Sequence, residues 1–317
     1  MTAEPTTSLA LYRRHIDLRL EALLPPVLPG HSALDAAMRD GVLAPGKRLR
    51  PIMTVLAAED LGGDAMAAID AGCAVELVHA ASLVLDDLPC MDNAKLRRGL
   101  PAVHVGHGED LAVLVSISAV SLAYQLISEI EAIPAQARLD SITVLAKAVG
   151  VSGLVAGQFE DLRGGRTRRA VAEIHAANGL KTGALFSAAV EIGGVVAGAD
   201  AATRKKLCAF AGELGHAFQL LDDFLDLAPH AGMTGKDVGS DDGKSTILSV
   251  IGRDSARRRI DRHIEMAQAS LDEIFGARSR LHGLVSAIVD QALPAPLTAA
   301  YSNDDTPGEL GQEIGAR

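Results

Sequence analysis

The sequence predicts an all-α protein, one large helical bundle, and three observations carry that prediction. Of 317 residues, 48% are hydrophobic but only 3% are aromatic, and none is Trp. The apolar content is therefore aliphatic and dominated by Ala and Leu, two of the strongest helix formers. Alternating runs of β-branched residues are few, whereas apolar residues recur at intervals of three and four along most of the chain. No Pro-, Gly- or Ser-rich linker divides the middle. At about 150 residues per domain the length allows two domains. We read one, over residues 1–301, followed by a polar, glycine-containing tail at 302–317.

In chain order, helical spacing covers 8–24, 32–42 and 50–60. Pro51 falls in the first turn of the third segment, where its missing N–H costs no bond, and Gly62-Gly63 follow that segment. The segment 64–88 is long and apolar and meets Pro89. Helices are expected over 109–131 and 135–157, parted by Pro134, then over 170–197 after Gly164-Gly165. The stretch from Leu162 to Arg169 carries Arg163, Arg166, Arg168 and Arg169 and reads as a solvated loop. Helices over 200–228, 246–274 and 279–293 complete the order. The connection from Ala228 to Ser245 is long and rich in Gly, Asp and Lys, as functional lids are.

A formal net charge of −10 argues against nucleic acid as the ligand, because phosphate-backbone binding needs a basic face. Anionic substrates stay open if metal ions bridge them to acidic groups. Cys73, Cys90 and Cys208 are far apart, odd in number and in no metal-ligand spacing, which fits reduced thiols and a cytoplasmic location. The N-terminus lacks a basic region followed by an apolar one, and no eighteen apolar residues run uninterrupted, so no transmembrane segment is expected.

The sharpest chemical signal is Asp222-Asp223-Phe224-Leu225-Asp226, preceded by Gln219. On a helix, 219, 222, 223 and 226 project from one face. Carboxylates one turn apart repel, so a stripe of three inside an apolar stretch needs compensation, which a hard cation such as magnesium supplies together with substrate phosphate oxygens. A solvated acidic face is the plainer alternative, weakened by the apolar surroundings. A second cluster, Asp86-Asp87-Leu88-Pro89-Cys90-Met91-Asp92, ends the long helix, and Pro89 is expected to kink the chain and return Asp92 towards Asp86. His79 lies two turns before Asp86 on nearly the same face. Basic residues stand at Lys47, Arg48 and Arg50, at Arg97 and Arg98, and at Lys181, Lys236 and Lys244. Acidic sites facing such a set describe a cavity for two diphosphates, one held through metal and one held directly.

These residues resemble the trans-isoprenyl diphosphate synthase, or polyprenyl synthetase, family, and most of all its bacterial geranylgeranyl diphosphate synthases. The matching motifs, in family order, are GKRLRP from Gly46, DDLPCMDNAKLRRG from Asp86, GQFEDL from Gly157, KTG from Lys181, FQLLDDFLDL from Phe218 and GKDVGSDDGKST from Gly235. Ala94 stands where many relatives carry a further acidic residue. The resemblance implies an isoprenoid-synthase bundle around a central cavity and a homodimer. It implies that Asp86, Asp92 and Asp222 bind magnesium, or manganese, usually as three ions with bound diphosphate, with Asp87, Asp223 and Asp226 supporting. It implies that Arg97, Lys181, Thr182, Gln219, Lys236 and Lys244 engage an allylic diphosphate (dimethylallyl, geranyl or farnesyl), and that Lys47, Arg50, His79 and Arg98 hold isopentenyl diphosphate.

Product length is expected to depend on Ala81 and Ser82. Ala81 lies five residues before Asp86, about 7.5 Å down the helix at 1.5 Å per residue, where farnesyl synthases of the family often place an aromatic floor. Its absence, with the two-residue Pro89-Cys90 insertion, favours geranylgeranyl over farnesyl diphosphate. A class I terpene cyclase is the less favoured alternative. Such pockets guide cations with aromatic faces, and this chain has six Phe and three Tyr in all.

Overall fold

The computed structural model describes residues 5–24, 30–163, 173, 176, 179–226 and 247–292. Its elements are α1 (Pro5–Leu23), α2 (Ser32–Val42), α3 (Leu49–Asp60), α4 (Ala65–Asp86), a hairpin of β1 (Leu96–Arg97) and β2 (Leu100–Pro101), α5 (Val103–His107), α6 (Glu109–Ser128), α7 (Ala135–Val149) and α8 (Leu154–Arg163). A π turn (Gly179–Gly183) leads into α9 (Ala184–Val196), followed by α10 (Ala201–Asp226), α11 (Ile247–Ile251), α12 (Arg253–Phe275) and α13 (Arg280–Ala292). The all-α expectation holds. The segments expected as a lid, 228–245, and as a tail, 302–317, lie outside the described residues, as do Arg166, Arg168 and Arg169.

Helix α4 is the axis of the bundle because it is apolar almost all round, and a helix with no polar face must be enclosed. Asp64 starts it, its carboxylate accepting the Ala67 N–H at 2.7 Å. It packs against α3, α6 and α9, and α9 in turn packs on α3, α7 and α10. Phe186, Phe210, Met53, Leu77, Leu185 and Ile192 are among the fully buried side chains at these crossings.

Glycine sets how closely α3 can be gripped. A Cβ on Gly72 of α4 would lie 3.0 Å from the Pro51 carbonyl oxygen, and one on Gly193 of α9 would lie 2.5 Å from that of Thr54. Helix α3 is thus held between two glycine faces, which fixes the start of the helix that carries Arg50.

The expected elements differ in detail. The segment 135–157 is two helices, because the chain turns at Gly150–Gly153 and Gly150 leaves the helical region at ψ −168°. The segment 246–274 is broken at Gly252, whose φ of +78° ends α11 and caps α12. Hydrophobic periodicity runs through both breaks and so conceals them. The hairpin and the five-residue α5 are additional.

A reading based on uninterrupted apolar runs also misses a feature visible in mean hydropathy. Among the described residues, four stretches are long and apolar enough to cross a membrane, namely Ala65–Asp86, Glu109–Ser128, Ala135–Arg163 and Gly179–Val196. The first and last are mostly enclosed by protein, whereas α6, α7 and α8 leave Leu114, Ile117, Leu139, Val155 and Phe159 exposed.

Gly193→Ala is expected to destabilise the fold by about 1–3 kcal/mol through overpacking against α3. Gly212→Ala in α10 meets nothing within 4 Å and should be neutral or stabilising by up to about 1 kcal/mol. Thermal midpoints of the two variants that fall together would refute this account of the α3 contact.

Candidate functional site

The acidic end of α4 is shaped by the loop that follows it. The helix ends at Asp86, and the chain folds back so that the Asp92 N–H donates to the Asp86 carbonyl at 2.9 Å. Met91 and Asn93 both donate to the Leu88 carbonyl, and Asn93 adopts φ +51° to permit it. The expected return of Asp92 to Asp86 is therefore present. Burial pushes the Asp86 carboxyl up to about 6; Asp92 and Asp87 push the same way, and Lys181 and Arg97 oppose them. Asp87 faces elsewhere: it is buried, and Arg97 forks onto both its oxygens, with Nε 2.9 Å from Oδ1. Arg97 is thereby braced from α4.

The opposite wall comes from the π turn and α10. Gly157 of α8 lets that helix lie against the turn, since a Cβ there would sit 2.4 Å from the Lys181 nitrogen. One turn further along α8, Asp161 accepts from Lys181 Nζ at 2.8 Å, and the same ammonium lies 3.9 Å from Asp86. Lys181 thus joins α4, α8 and the π turn. Thr182 Oγ1 donates to Gln219 Oε1 at 3.2 Å, and Gln219 Nε2 donates to Asp223 Oδ1 at 3.4 Å. Asp222 is partly buried beside them, and Asp226 is the last helical residue of α10. Lys236 and Lys244 lie outside the described residues.

The basic wall is built from the loop before α3 and from the hairpin. Lys47 is exposed, its Nζ 5.8 Å from the Phe218 ring centroid. Arg50 lies over Phe186 at 4.7 Å and donates from one guanidinium nitrogen to His79 Nε2 at 3.2 Å. That bond needs a neutral His79 with its proton on Nδ1. Burial, with Arg50, Arg98, Arg48 and Arg97 nearby, holds His79 well below the usual imidazole range. Burial lowers Arg50 to about 10; Glu76 opposes this, Arg98 adds to it, and Asp222 opposes it. The Asp222 carboxylate and the basic wall therefore act on one another. Arg98 and Gly99 form the hairpin turn with φ +56° and +79°, the positive values that two-residue turns of this type require. Arg98 then reaches the Ala44 carbonyl at 3.4 Å across Gly46, where a Cβ would collide with its guanidinium at 2.5 Å.

Three contributors carry no role in the sequence reading: Asp161, Arg48 and Glu76. Asp161 is within a quoted motif, and Glu76 is an acid stranded in the apolar run of α4, which is itself a signal. Arg48 is buried and pairs with Asp17 and Glu76. Ala81 is 2% exposed within the main core, and Ser82 donates to the His79 carbonyl at 2.8 Å.

For a metal, the donor type fits a hard cation, since the α4 loop and α10 both offer carboxylate oxygens. Among the described residues no three His, Cys, Asp or Glu side chains gather closely enough to hold an ion alone. Magnesium takes one or two carboxylates and completes its shell with phosphate oxygens and water.

The His79 environment predicts a pH effect. A depressed folded-state value contributes stability that is present above the unfolded imidazole value of about 6.5 and is lost as pH falls through it. Between about pH 7.5 and 5, the thermal midpoint of His79→Gln should therefore gain on that of the wild type. Parallel curves would refute it.

The polyprenyl synthetase family model matches residues 31–279. The chain is 45% identical over 269 residues to a geranylgeranyl diphosphate synthase of Pseudescherichia vulneris, covering 84% of this chain and 86% of that one. It is 40% identical over 248 residues to a farnesyl diphosphate synthase of Geobacillus stearothermophilus, covering 77% and 84%. Among solved structures it resembles a geranyltransferase from Helicobacter pylori complexed with magnesium and isoprenyl diphosphate, with a TM-score of 0.81 and 26% identity over 92% of this chain and 98% of that one. The acidic loop of α4, the acidic stripe of α10 and the basic wall between them thus sit in a chain that belongs to the polyprenyl synthetase family.

Proposed function

We propose that this chain condenses isopentenyl diphosphate with an allylic diphosphate to make all-trans geranylgeranyl diphosphate. The observation that carries the reading is the placing of acids beside a basic wall: Asp86 at the end of α4, which Lys181 ties to Asp161 of α8, and Asp222 on α10, which acts on Arg50 beside His79 and Arg98. The name of the Pseudescherichia relative supports the twenty-carbon product.

In this reading Asp86, Asp92 and Asp222 would hold magnesium, usually three ions with diphosphate, with Asp223 and Asp226 in support and Asp87 acting through Arg97. Magnesium, when bound, offsets the negative charge that builds on the leaving diphosphate oxygens. Lys181, Thr182, Gln219 and Arg97 add donors to the allylic diphosphate, joined by Lys236 and Lys244 from the long connection after α10. Lys181 and Arg97 are held before reaction by Asp161 and Asp87, so little reorganisation of these two is needed as charge develops. Lys47, Arg50 and Arg98 hold the second diphosphate, with neutral His79 adding a ligating ring and no further positive charge. The allylic C–O bond breaks and its electron pair leaves with diphosphate. The double bond of isopentenyl diphosphate then attacks the allylic cation, and a proton passes to the departed diphosphate. No side-chain nucleophile takes part.

Ala81 and Ser82 leave the α4 wall without a bulky side chain five and four residues below Asp86, which supports the longer product. Val113, Leu114 and Ile117 of α6 and Val155 and Phe159 of α8 are exposed apolar side chains of the kind that a homodimer interface covers. On this reading the reaction runs in the cytoplasm and residues 1–301 form one domain.

With isopentenyl diphosphate and each primer, product analysis should give twenty carbons as the main length, and a fifteen-carbon product would instead assign farnesyl diphosphate. Asp222→Ala should lose about 3–4 kcal/mol of transition-state stabilisation, roughly a hundredfold or more in turnover, as should excess chelator. Ala81→Phe should shift the main product to fifteen carbons with metal dependence unaltered; an unmoved distribution excludes Ala81 as the gate. In light scattering, Ile117→Glu should halve the wild-type dimer mass, and a monomeric wild type would refute the dimer.

A further inference from the structure

The loop before α3 contains a buried charge pair that the reaction does not use. Arg48 is 4% exposed and Glu76 is 2% exposed. Arg48 donates from Nε to Asp17 of α1 at 2.7 Å and from a terminal nitrogen to Glu76 of α4 at 2.8 Å. We propose that this Arg48–Glu76 pair, braced by Asp17, is a positioning device for the second diphosphate site, setting where Lys47, Arg50 and His79 stand without touching substrate. The proposal rests on the condensation reading above.

The geometry supports it in three ways. Arg48 adopts φ +49°, a left-handed conformation that few residues other than glycine hold without compensation. That one residue turns the chain so that its own side chain goes inward while Lys47 stays exposed, and its carbonyl accepts the Ile52 N–H at 3.1 Å in the first turn of α3. The pair therefore fixes both the direction of Lys47 and the start of the helix that carries Arg50. Glu76 lies one turn before His79 on α4, so the same pair fixes the α3 start against the partner of Arg50. Finally, the Glu76 carboxylate attracts Arg48, Arg50 and Arg98 together. Without it, three guanidinium groups would face one another and spread apart.

General stabilisation accounts for the pair poorly. Buried ion pairs are often replaceable by apolar side chains of similar volume with no loss of stability, whereas removing one partner is costly. The informative variant is therefore the double substitution Arg48→Met with Glu76→Leu in the full chain. Its thermal midpoint should lie near that of the wild type. Its KM for isopentenyl diphosphate should rise at least tenfold, while the KM for the allylic primer and the magnesium dependence change less than about twofold. Arg48→Lys, which keeps the charge but loses the fork, should show the same selective rise to a smaller degree, and it stands as the test should the double variant fail to fold. A KM for isopentenyl diphosphate within twofold of wild type, or equal rises for both substrates, overturns the proposal. Calorimetry with inorganic diphosphate and metal-free protein separates the two readings: tenfold weaker binding by the variant supports the positioning role even if the wild type makes no product, and unchanged binding refutes it.

Discussion

Like charges crowded into a partly buried cleft must be held apart by counter-charges, because solvent screening is weak there, and this requirement shapes the molecule. Three of its cations are tied to acids from other elements: Arg97 to Asp87, Lys181 to Asp161, Arg48 to Glu76 and Asp17. Of these, Arg48–Glu76 is fully buried: such a pair contributes little net stability once desolvation is counted, but removing one partner leaves an uncompensated charge at a cost of about 3–5 kcal/mol. Their consequence is geometric. Burial, with Asp92 and Asp87 close by, raises the Asp86 carboxyl to about 6, and a bound cation would favour its charged form.

The same logic appears in the backbone. Among the described residues, the non-glycine residues with positive φ are Arg48, Asn93 and Arg98, and all three flank the cleft. Left-handed geometry costs roughly 1–2 kcal/mol per residue, so each must be held in place by its surroundings. Arg48 has its two carboxylates, Asn93 the hydrogen bonds of the acidic loop, and Arg98 the hairpin and the Ala44 carbonyl. These residues lie at the edges of a core whose aliphatic side chains and facing glycines leave α3 and α4 little room to shift.

A core poor in aromatics also suits the chemistry proposed for it. Where Ala81 and Ser82 line α4, no ring closes the wall, and the aromatic contacts near the charges are few and specific: Phe186 under Arg50, Phe218 near Lys47, and the two rings edge-on at 5.5 Å.

Much of this was legible in the sequence, and the remainder was hidden for a definable reason. Helix periodicity, the acidic stripe of Asp222, Asp223 and Asp226, the return of Asp92 after Pro89 and the ordered motifs are local patterns, expressed within a few residues of chain, and they led to the all-α class and to the family. Local periodicity was also what concealed the breaks at Gly150–Gly153 and Gly252, where apolar spacing continues although the backbone does not. Only the tertiary structure decided which charge answers which: that Asp87 turns to Arg97, that Asp161 shares Lys181 with Asp86, and that Glu76 meets Arg48. Those partners are 10, 20 and 28 residues apart and lie on different elements, so their meeting depends on how helices cross, which side-chain size and glycine placement determine and spacing along the chain does not encode.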